Sequence, residues 1–196
     1  MSALVRQPQH EIEPLFHTRW SARAFTGEAI ADSTLFALFE AARWAPSGGN
    51  SQPWRFIYLK RDHVDWPLFL GFLNERNRLW ASRAGALVLL LSRKERETPE
   101  GPKASRSHSF DAGAAWSNLA HQAHLLGWGV RAMGGFDLVA TRAALRIPEV
   151  YALEVFIAIG RVGDSDVLPE DLRQIEKPNG RQPLDTLVSE GRFAFS

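Results

Sequence analysis

The segment Ala45-Pro46-Ser47-Gly48-Gly49-Asn50-Ser51-Gln52-Pro53-Trp54 limits what this chain can fold into more than any other. Pro46 and Pro53 each lack a backbone donor and push the preceding residue toward extended geometry, so no helix is expected to run through it. Gly48 and Gly49 let the backbone approach another group closely, and Ser47, Asn50, Ser51 and Gln52 supply short polar side chains. Upstream, Leu35, Leu38, Phe39 and Ala42 share one helical face behind a capping Asp32 or Ser33. Downstream, Trp54 to Leu59 is aromatic and β-branched and predicts a strand. A loop so tightly specified between two ordered elements is a candidate binding loop; a rigid helix-to-strand connection is the plainer alternative.

The rest divides on the same signals. A short helix is expected to close near Arg19, after a loose polar start over 1–12. Pro67 to about Arg83 predicts one helix anchored by Leu68, Leu73, Leu79 and Trp80, and Ala86 to Leu91 a buried strand. Residues 93–109 are polar and hold Pro99, Gly101 and Pro102, a solvated loop long enough to serve as a lid. Phe110 to Leu126 reads as a buried helix whose Ala112, Gly113, Ala114 and Ala115 admit a close neighbour, with Leu119 and Leu125 extending its apolar surface and Gly127 ending it. Trp128 to Met133 predicts a strand, Asp137 caps a short helix through Leu145, and Leu153 to Ile159 predicts a last strand. The tail from Asp164 is rich in proline and glycine and is expected to wrap over a surface. One domain results, α/β or α+β, with a central sheet covered by helices.

Composition removes several classes of function. Lys+Arg 23 against Asp+Glu 22 gives no general attraction to nucleic acid or to an acidic membrane. The absence of cysteine excludes disulfides, thiolate nucleophiles and cysteine-ligated metals. No apolar stretch has the length of a membrane span and the N-terminus lacks a signal-peptide core, so a cytoplasmic protein is expected. Seven Trp and twelve Phe suit a large core, an oligomer interface or a flat ligand.

Three further stretches can carry chemistry. Arg19-Trp20-Ser21-Ala22-Arg23 sets two guanidiniums and a hydroxyl near a turn, which suits a phosphate, although two solvated arginines would look the same. Met133-Gly134-Gly135-Phe136 can present bare backbone to a ligand, or simply turn. Arg181 is a late cation able to return to a phosphate. His121 and His124 are three apart on a helix with no acidic or cysteine partner in sequence, so helix packing is preferred and no metal is expected. Asp111 reads as a cap or a favourable charge at a helix start. The phosphate loop, the G-x-G-x-x-G fingerprint and the G-x-S-x-G elbow are all missing. With no nucleophile and no acid/base pair, any chemistry is expected to come from a cofactor.

Together these pieces resemble the nitroreductase family of flavoproteins. Arg19 to Phe25 is similar to its R-x-S-x-R-x-F motif, and Ala45 to Trp54 to its A-P-S-x-x-N-x-Q-P-W loop. Asn77-Arg78-Leu79-Trp80-Ala81 resembles N-x-x-W-A, Asp111 to Leu119 resembles D-x-G-x-A…N-L, and Arg181-Gln182-Pro183-Leu184 resembles R-x-P-L. Trp20 stands where many members carry a basic residue or histidine, and Gly48 where many carry serine. The resemblance implies an α+β fold with a mixed, mainly antiparallel sheet, an intertwined homodimer in which residues 164–196 wrap the partner, and one FMN per subunit. Carried over by position, Arg19, Trp20, Ser21 and Arg23 would hold the ribityl phosphate with Arg181, Asn77 would bond the ring or ribityl edge, and Gly134 and Gly135 would face the ring beside Met133. Pro46, Ser47, Gly48 and Asn50 would come from the partner. The implied activity is a two-stage transfer of hydride from NADH or NADPH through FMN to a small-molecule acceptor such as a nitroaromatic, quinone or enone, with no catalytic side chain. A flavin-consuming, oxygen-dependent enzyme and a non-catalytic FMN-binding regulatory dimer are the alternatives.

Overall fold

Strand β2 (Ala86–Arg93) is buried along almost its whole length, which is why its sequence reads as a continuous apolar run rather than an alternation. In the computed structural model, which describes residues 6–195, it lies inside a four-stranded sheet with β1 (Trp54–Lys60), β5 (Gly129–Met133) and β6 (Tyr151–Gly160). The order is β1-β2-β6-β5 and every pairing is antiparallel, which agrees with the expected mainly antiparallel sheet. A small hairpin, β3 (Glu95–Arg96) with β4 (Lys103–Ala104), projects from the end of β2. Seven helices complete the described residues: α1 (Pro14–Thr18), α2 (Asp32–Arg43), α3 (Trp66–Phe72), α4 (Glu75–Ala81), α5 (His108–Leu125), α6 (Leu138–Ala144) and α7 (Glu170–Arg173).

Both faces of the sheet are covered. Leu87, Leu89 and Leu91 point to a core that holds Phe25, Phe69, Phe72, Trp80, Met133 and Phe156. Ala86, Val88 and Leu90 point the other way, against Leu35, Leu38 and Ala42 of α2 and Ala115, Leu119 and Ala123 of α5. The small residues of α5 let α2 approach, and Asn118 Nδ2 donates to the Ala41 carbonyl at 3.1 Å across that contact.

Several expectations are corrected. The span 67–83 is two helices, because the chain leaves helical geometry at Leu73 (φ −72°, ψ 145°) to bridge Phe136. Asn74 then restarts the chain as α4 by accepting from Asn77 N at 2.8 Å. Of the expected anchors only Leu73 and Trp80 are buried; Leu68 and Leu79 are exposed, as are Phe110 and Leu125 on α5. Neither Asp32 nor Ser33 caps α2: the N-cap is Ala31, and Asp32 instead pairs with Lys60 at 2.9 Å. Gly48–Asn50 does make one 3₁₀ turn, with Gly49 left-handed at its centre (φ 58°). In the tail, Leu168 and Leu172 are buried in the chain's own core, so the segment up to α7 belongs to this fold, while 177–195 is almost wholly exposed. The N-terminal start outside the described residues is 1–5; residues 6–12 hold no helix or strand and meet the tail, where Gln9 Oε1 accepts from Leu184 N at 2.7 Å.

Candidate functional site

Helix α5 organises the candidate site, and its two ends carry different chemistry. Near its C-terminal end α1 is seated by two histidines. The ring of Phe16 meets that of His121 edge-on at 5.3 Å. Thr18 Oγ1 spends its one hydrogen on the Pro14 carbonyl at 2.8 Å, so the 2.9 Å contact with His124 Nε2 requires the hydrogen on the imidazole. Burial, and then the charge of Arg19, hold both histidines below the usual imidazole range.

Arg19 follows α1 and is half-buried. Burial lowers its pKa, and so do the charges of Arg6 and Arg181. Arg6 donates from Nη1 to the carbonyls of His17 (3.1 Å) and Arg19 (2.6 Å), and from Nε to that of Asn179 (2.8 Å). Arg181 Nη1 donates to the Gly180 carbonyl at 2.9 Å, and Arg19 Nη1 reaches Ser21 Oγ at 3.4 Å. Among the described residues no carboxylate lies within 4.0 Å of any of these three guanidiniums. Arg6 and Arg181 line a cleft of about 670 Å³ together with His17, Phe16 and Leu184. Three like charges set near one another without an acid are the arrangement that a multiply charged anion would neutralise. Arg6 carries no sequence motif, and only the meeting of the two chain ends reveals it.

Arg23 is placed differently. Its Nη1 pairs with Glu176 Oε2 at 3.1 Å, while Glu176 Oε1 accepts from the N–H groups of Arg23 (2.5 Å) and Ala24 (2.9 Å). The Glu176 side chain is 2% exposed, so it latches the tail onto the N-terminal strip with three donors satisfying it. Nearby Arg131 on β5 donates to the Ser21 carbonyl at 2.5 Å and lies 5.8 Å from the Trp80 ring centre. Burial and the charge of Arg23 depress its pKa, against the pull of Glu176. Of the two guanidiniums only Arg23 pairs with the carboxylate, while Arg131 is held by the Ser21 carbonyl, and Trp20 is half-buried next to Ser21.

On the core face that carries Trp80 and Met133, Asn77 and the tandem glycines converge. Asn77 Nδ2 donates to the Gly135 carbonyl at 3.2 Å, which also accepts from Asn74 N at 3.0 Å. A methyl group on Gly135 would sit 2.1 Å from Asn74 Nδ2, so a side chain there would require the Asn74 amide, which caps α4, to move. Around Gly134 nothing lies within 4 Å of such a methyl, leaving its backbone open. The Met133 side chain is buried in the core, so this residue offers backbone and not a side chain to a ligand.

The N-terminal end of α5 holds the loop 46–50. Gly48 N donates to Asp111 Oδ2 at 3.2 Å, and Ser107 Oγ donates to the same oxygen at 3.0 Å. Asp111 is buried, so it anchors the loop rather than merely facing a helix dipole; an acid among small apolar residues was the available signal. Gly49, Asn50 and Gln52 are all left-handed (φ 58°, 54° and 45°); glycine takes that region freely, whereas Asn50 and Gln52 hold it at a cost. Pro46, Gly48 and Asn50 are exposed and Ser47 half-buried. From Asp111 to His121 and His124 the axis of α5 runs roughly 15–20 Å, at about 1.5 Å per residue. Within one chain the loop and the guanidinium cluster are therefore at opposite ends of the helix.

Residues 17–82 and 70–161 match the sequence profile described as the nitroreductase family. A solved structure described as an oxidoreductase containing FMN is 44% identical, covers 100% of both chains and superposes with a TM-score of 0.96. A Streptomyces coelicolor protein provisionally named an NADH dehydrogenase/NAD(P)H nitroreductase is 33% identical over 87 residues, 44% of this chain and 43% of that protein. A Rhodospirillum rubrum 5,6-dimethylbenzimidazole synthase is 44% identical over 46 residues, 24% of this chain and 22% of that protein. The match thus spans less than half the length of either of these two relatives.

Proposed function

Because the chain belongs to the nitroreductase family, we propose that it is an FMN-dependent oxidoreductase that takes hydride from NADH or NADPH and delivers it to a small organic acceptor. A nitroaromatic, a quinone or an enone fits that description. The observation that carries this reading is the unneutralised trio Arg6, Arg19 and Arg181, whose positive charges match a phosphate monoester carrying about −1.5 to −2 at neutral pH. Arg19, Arg181, Arg6 and Ser21 would hold that phosphate. The Asn77 amide nitrogen is engaged by Gly135, which leaves its oxygen as an acceptor toward the ring edge, and Gly134 leaves bare backbone for a flat face. Arg23 and Arg131, against Glu176 alone, leave a net positive charge that favours the build-up of negative charge on a neighbouring group. Bound FMN would supply reversible hydride uptake, so the chain needs no nucleophile or acid/base pair of its own.

The proposed working unit is a homodimer. The loop and the guanidinium cluster stand at opposite ends of α5, so two copies packed with their α5 helices antiparallel would bring the loop of one to the cluster of the other. Exposed Phe16, Trp44, Phe110, Leu125 and Val188 provide apolar surface for such a contact. A visible spectrum of the purified protein, recorded before and after anaerobic NADH or NADPH, tests the function. Flavin bleaching by either nucleotide is the expected result. A protein that takes up no FMN overturns the reading; one that holds flavin but is reduced by neither nucleotide is the regulatory dimer, and one that loses flavin during aerobic turnover is the flavin-consuming enzyme.

A further inference from the structure

A polar cluster of Ser92, His108, Ser109 and Glu154 lies outside the site described above. Ser92 is fully buried at the end of β2, and His108 and Ser109 open α5. Glu154 sits in β6 where the register against β2 slips, between the pairs Leu90–Val155 and Leu91–Leu153. Such a bulge re-aims the extra side chain. Ser92 Oγ donates to Glu154 Oε1, and Ser109 Oγ donates to the same oxygen at 2.7 Å. Each hydroxyl has a single hydrogen, now spent. Their contacts with His108 Nδ1, at 2.7 and 3.2 Å, therefore place a hydrogen on Nδ1 pointing at the serines. His108 Nδ1 itself lies 3.7 Å from Glu154 Oε1, and both side chains are only about one-fifth exposed (20% and 23%).

This clasp joins the two ends of segment 93–107, which carries the β3–β4 hairpin. Ser105 N donates to the Lys94 carbonyl at 2.7 Å and closes the neck, while Lys94 N and Arg93 N tie it to Val150 and Pro53. The resulting flap rests on the loop 46–50: Arg96 Nη1 would lie 3.7 Å from a methyl placed on Gly49, and Ser107 Oγ 2.9 Å from one on Gly48.

We propose that Glu154 is a positioning residue that, through Ser92, His108 and Ser109, fixes the flap 93–107 over the loop 46–50 and thereby sets the size of acceptor admitted. This rests on the reading of that loop as part of the flavin site. Glu154 touches neither flavin nor acceptor; it acts through the flap.

The test uses the full-length, FMN-loaded dimer and its Glu154→Gln and Ser92→Ala variants, the second guarding against a folding defect in the first. Trypsin reports the flap directly at Lys94, Arg96, Lys103 and Arg106. Cleavage there is expected to quicken about ten-fold in both variants, because proteolysis follows the population of the opened state. FMN content should be unchanged. The KM for a bulky polycyclic quinone should fall relative to that for a one-ring quinone, with kcat for the smaller acceptor unaltered. Parental cleavage rates in both variants overturn the clasp, and faster cleavage with an unchanged ratio of the two KM values overturns its role in acceptor choice. A parent protein that binds no FMN marks failure of the flavin reading instead, and the cleavage comparison still decides the clasp.

Discussion

The two ends of helix α5 solve opposite electrostatic problems. At the C-terminal end Arg6, Arg19 and Arg181 gather with no acid among the described residues, and the histidines beside them are held toward neutrality. At the N-terminal end a buried acid, Asp111, is satisfied by Gly48 N–H and Ser107, and the strained loop it holds carries no net charge from 46 to 50. One end is a charge that lacks its counter-charge; the other is a shape held out to solvent. On the proposed reading neither is a complete site, and the difference directs the test of function to how copies of α5 would meet rather than to either end alone.

The strongest way to break the comparison is to remove the charge. Arg19→Ala combined with Arg181→Ala should weaken FMN binding roughly 100- to 10,000-fold, since a charge-assisted hydrogen bond contributes about 1.5–3 kcal/mol and two are lost. Flavin fluorescence titration of the apo-protein measures it, and the melting temperature of the flavin-free variant should not fall, because like-charge repulsion is relieved. At the other end, Asp111→Ala leaves Gly48 N–H and the Ser107 hydroxyl without their acceptor. A loss of about 1–3 kcal/mol in unfolding free energy by urea titration is expected, with a weaker effect on FMN affinity than the arginine pair. A smaller shift is expected from Arg6→Ala, because Arg6 also ties carbonyls of His17, Arg19 and Asn179; FMN affinity should drop about ten-fold, equivalent to ~1.4 kcal/mol. The smallest effect concerns pH. Burial and the charge of Arg19 hold His121 and His124 below the ordinary imidazole value of about 6.5, so the unfolded chain binds more protons just below that pH. Stability from these groups is present above about pH 6.5 and is lost as pH falls toward the folded values. A His121→Gln/His124→Gln variant should flatten the slope of melting temperature against pH below about 6.5.

The sequence made some of this legible and hid the rest for physical reasons. β2, β6 and α5 could be read because each is governed by local periodicity and burial on a predictable face. The break at Leu73–Asn74 could not, since it is set by pairing with Phe136 and Gly135, about sixty residues on. Motif order points to Arg19, Ser21 and Arg181 and to Asn77 with Gly134 and Gly135, and the fold sets the first three near one another and brings Asn77 to the glycines; that they hold a ligand is the proposal. Arg6, Glu176 and Arg131 were missed because each matters only through a partner distant in sequence: Glu176 binds residues 23 and 24, and Arg131 binds Ser21. Arg23 carries the family motif, yet its guanidinium is paired with Glu176, which the motif cannot reveal.

The claim that each site draws on both ends of α5 from different subunits is tested most directly by mixed dimers. One subunit carries Arg19→Ala and Arg181→Ala; the other carries Gly48→Val and Asn50→Ala, and differently tagged heterodimers are isolated after co-expression. Each variant alone should bind little or no FMN. In the mixed dimer one site combines both lesions and the other combines neither, so the account predicts recovery of one tightly bound FMN per dimer. A mixed dimer as empty as its parents would mean that loop and guanidinium cluster serve the same flavin from the same chain, and would contradict it.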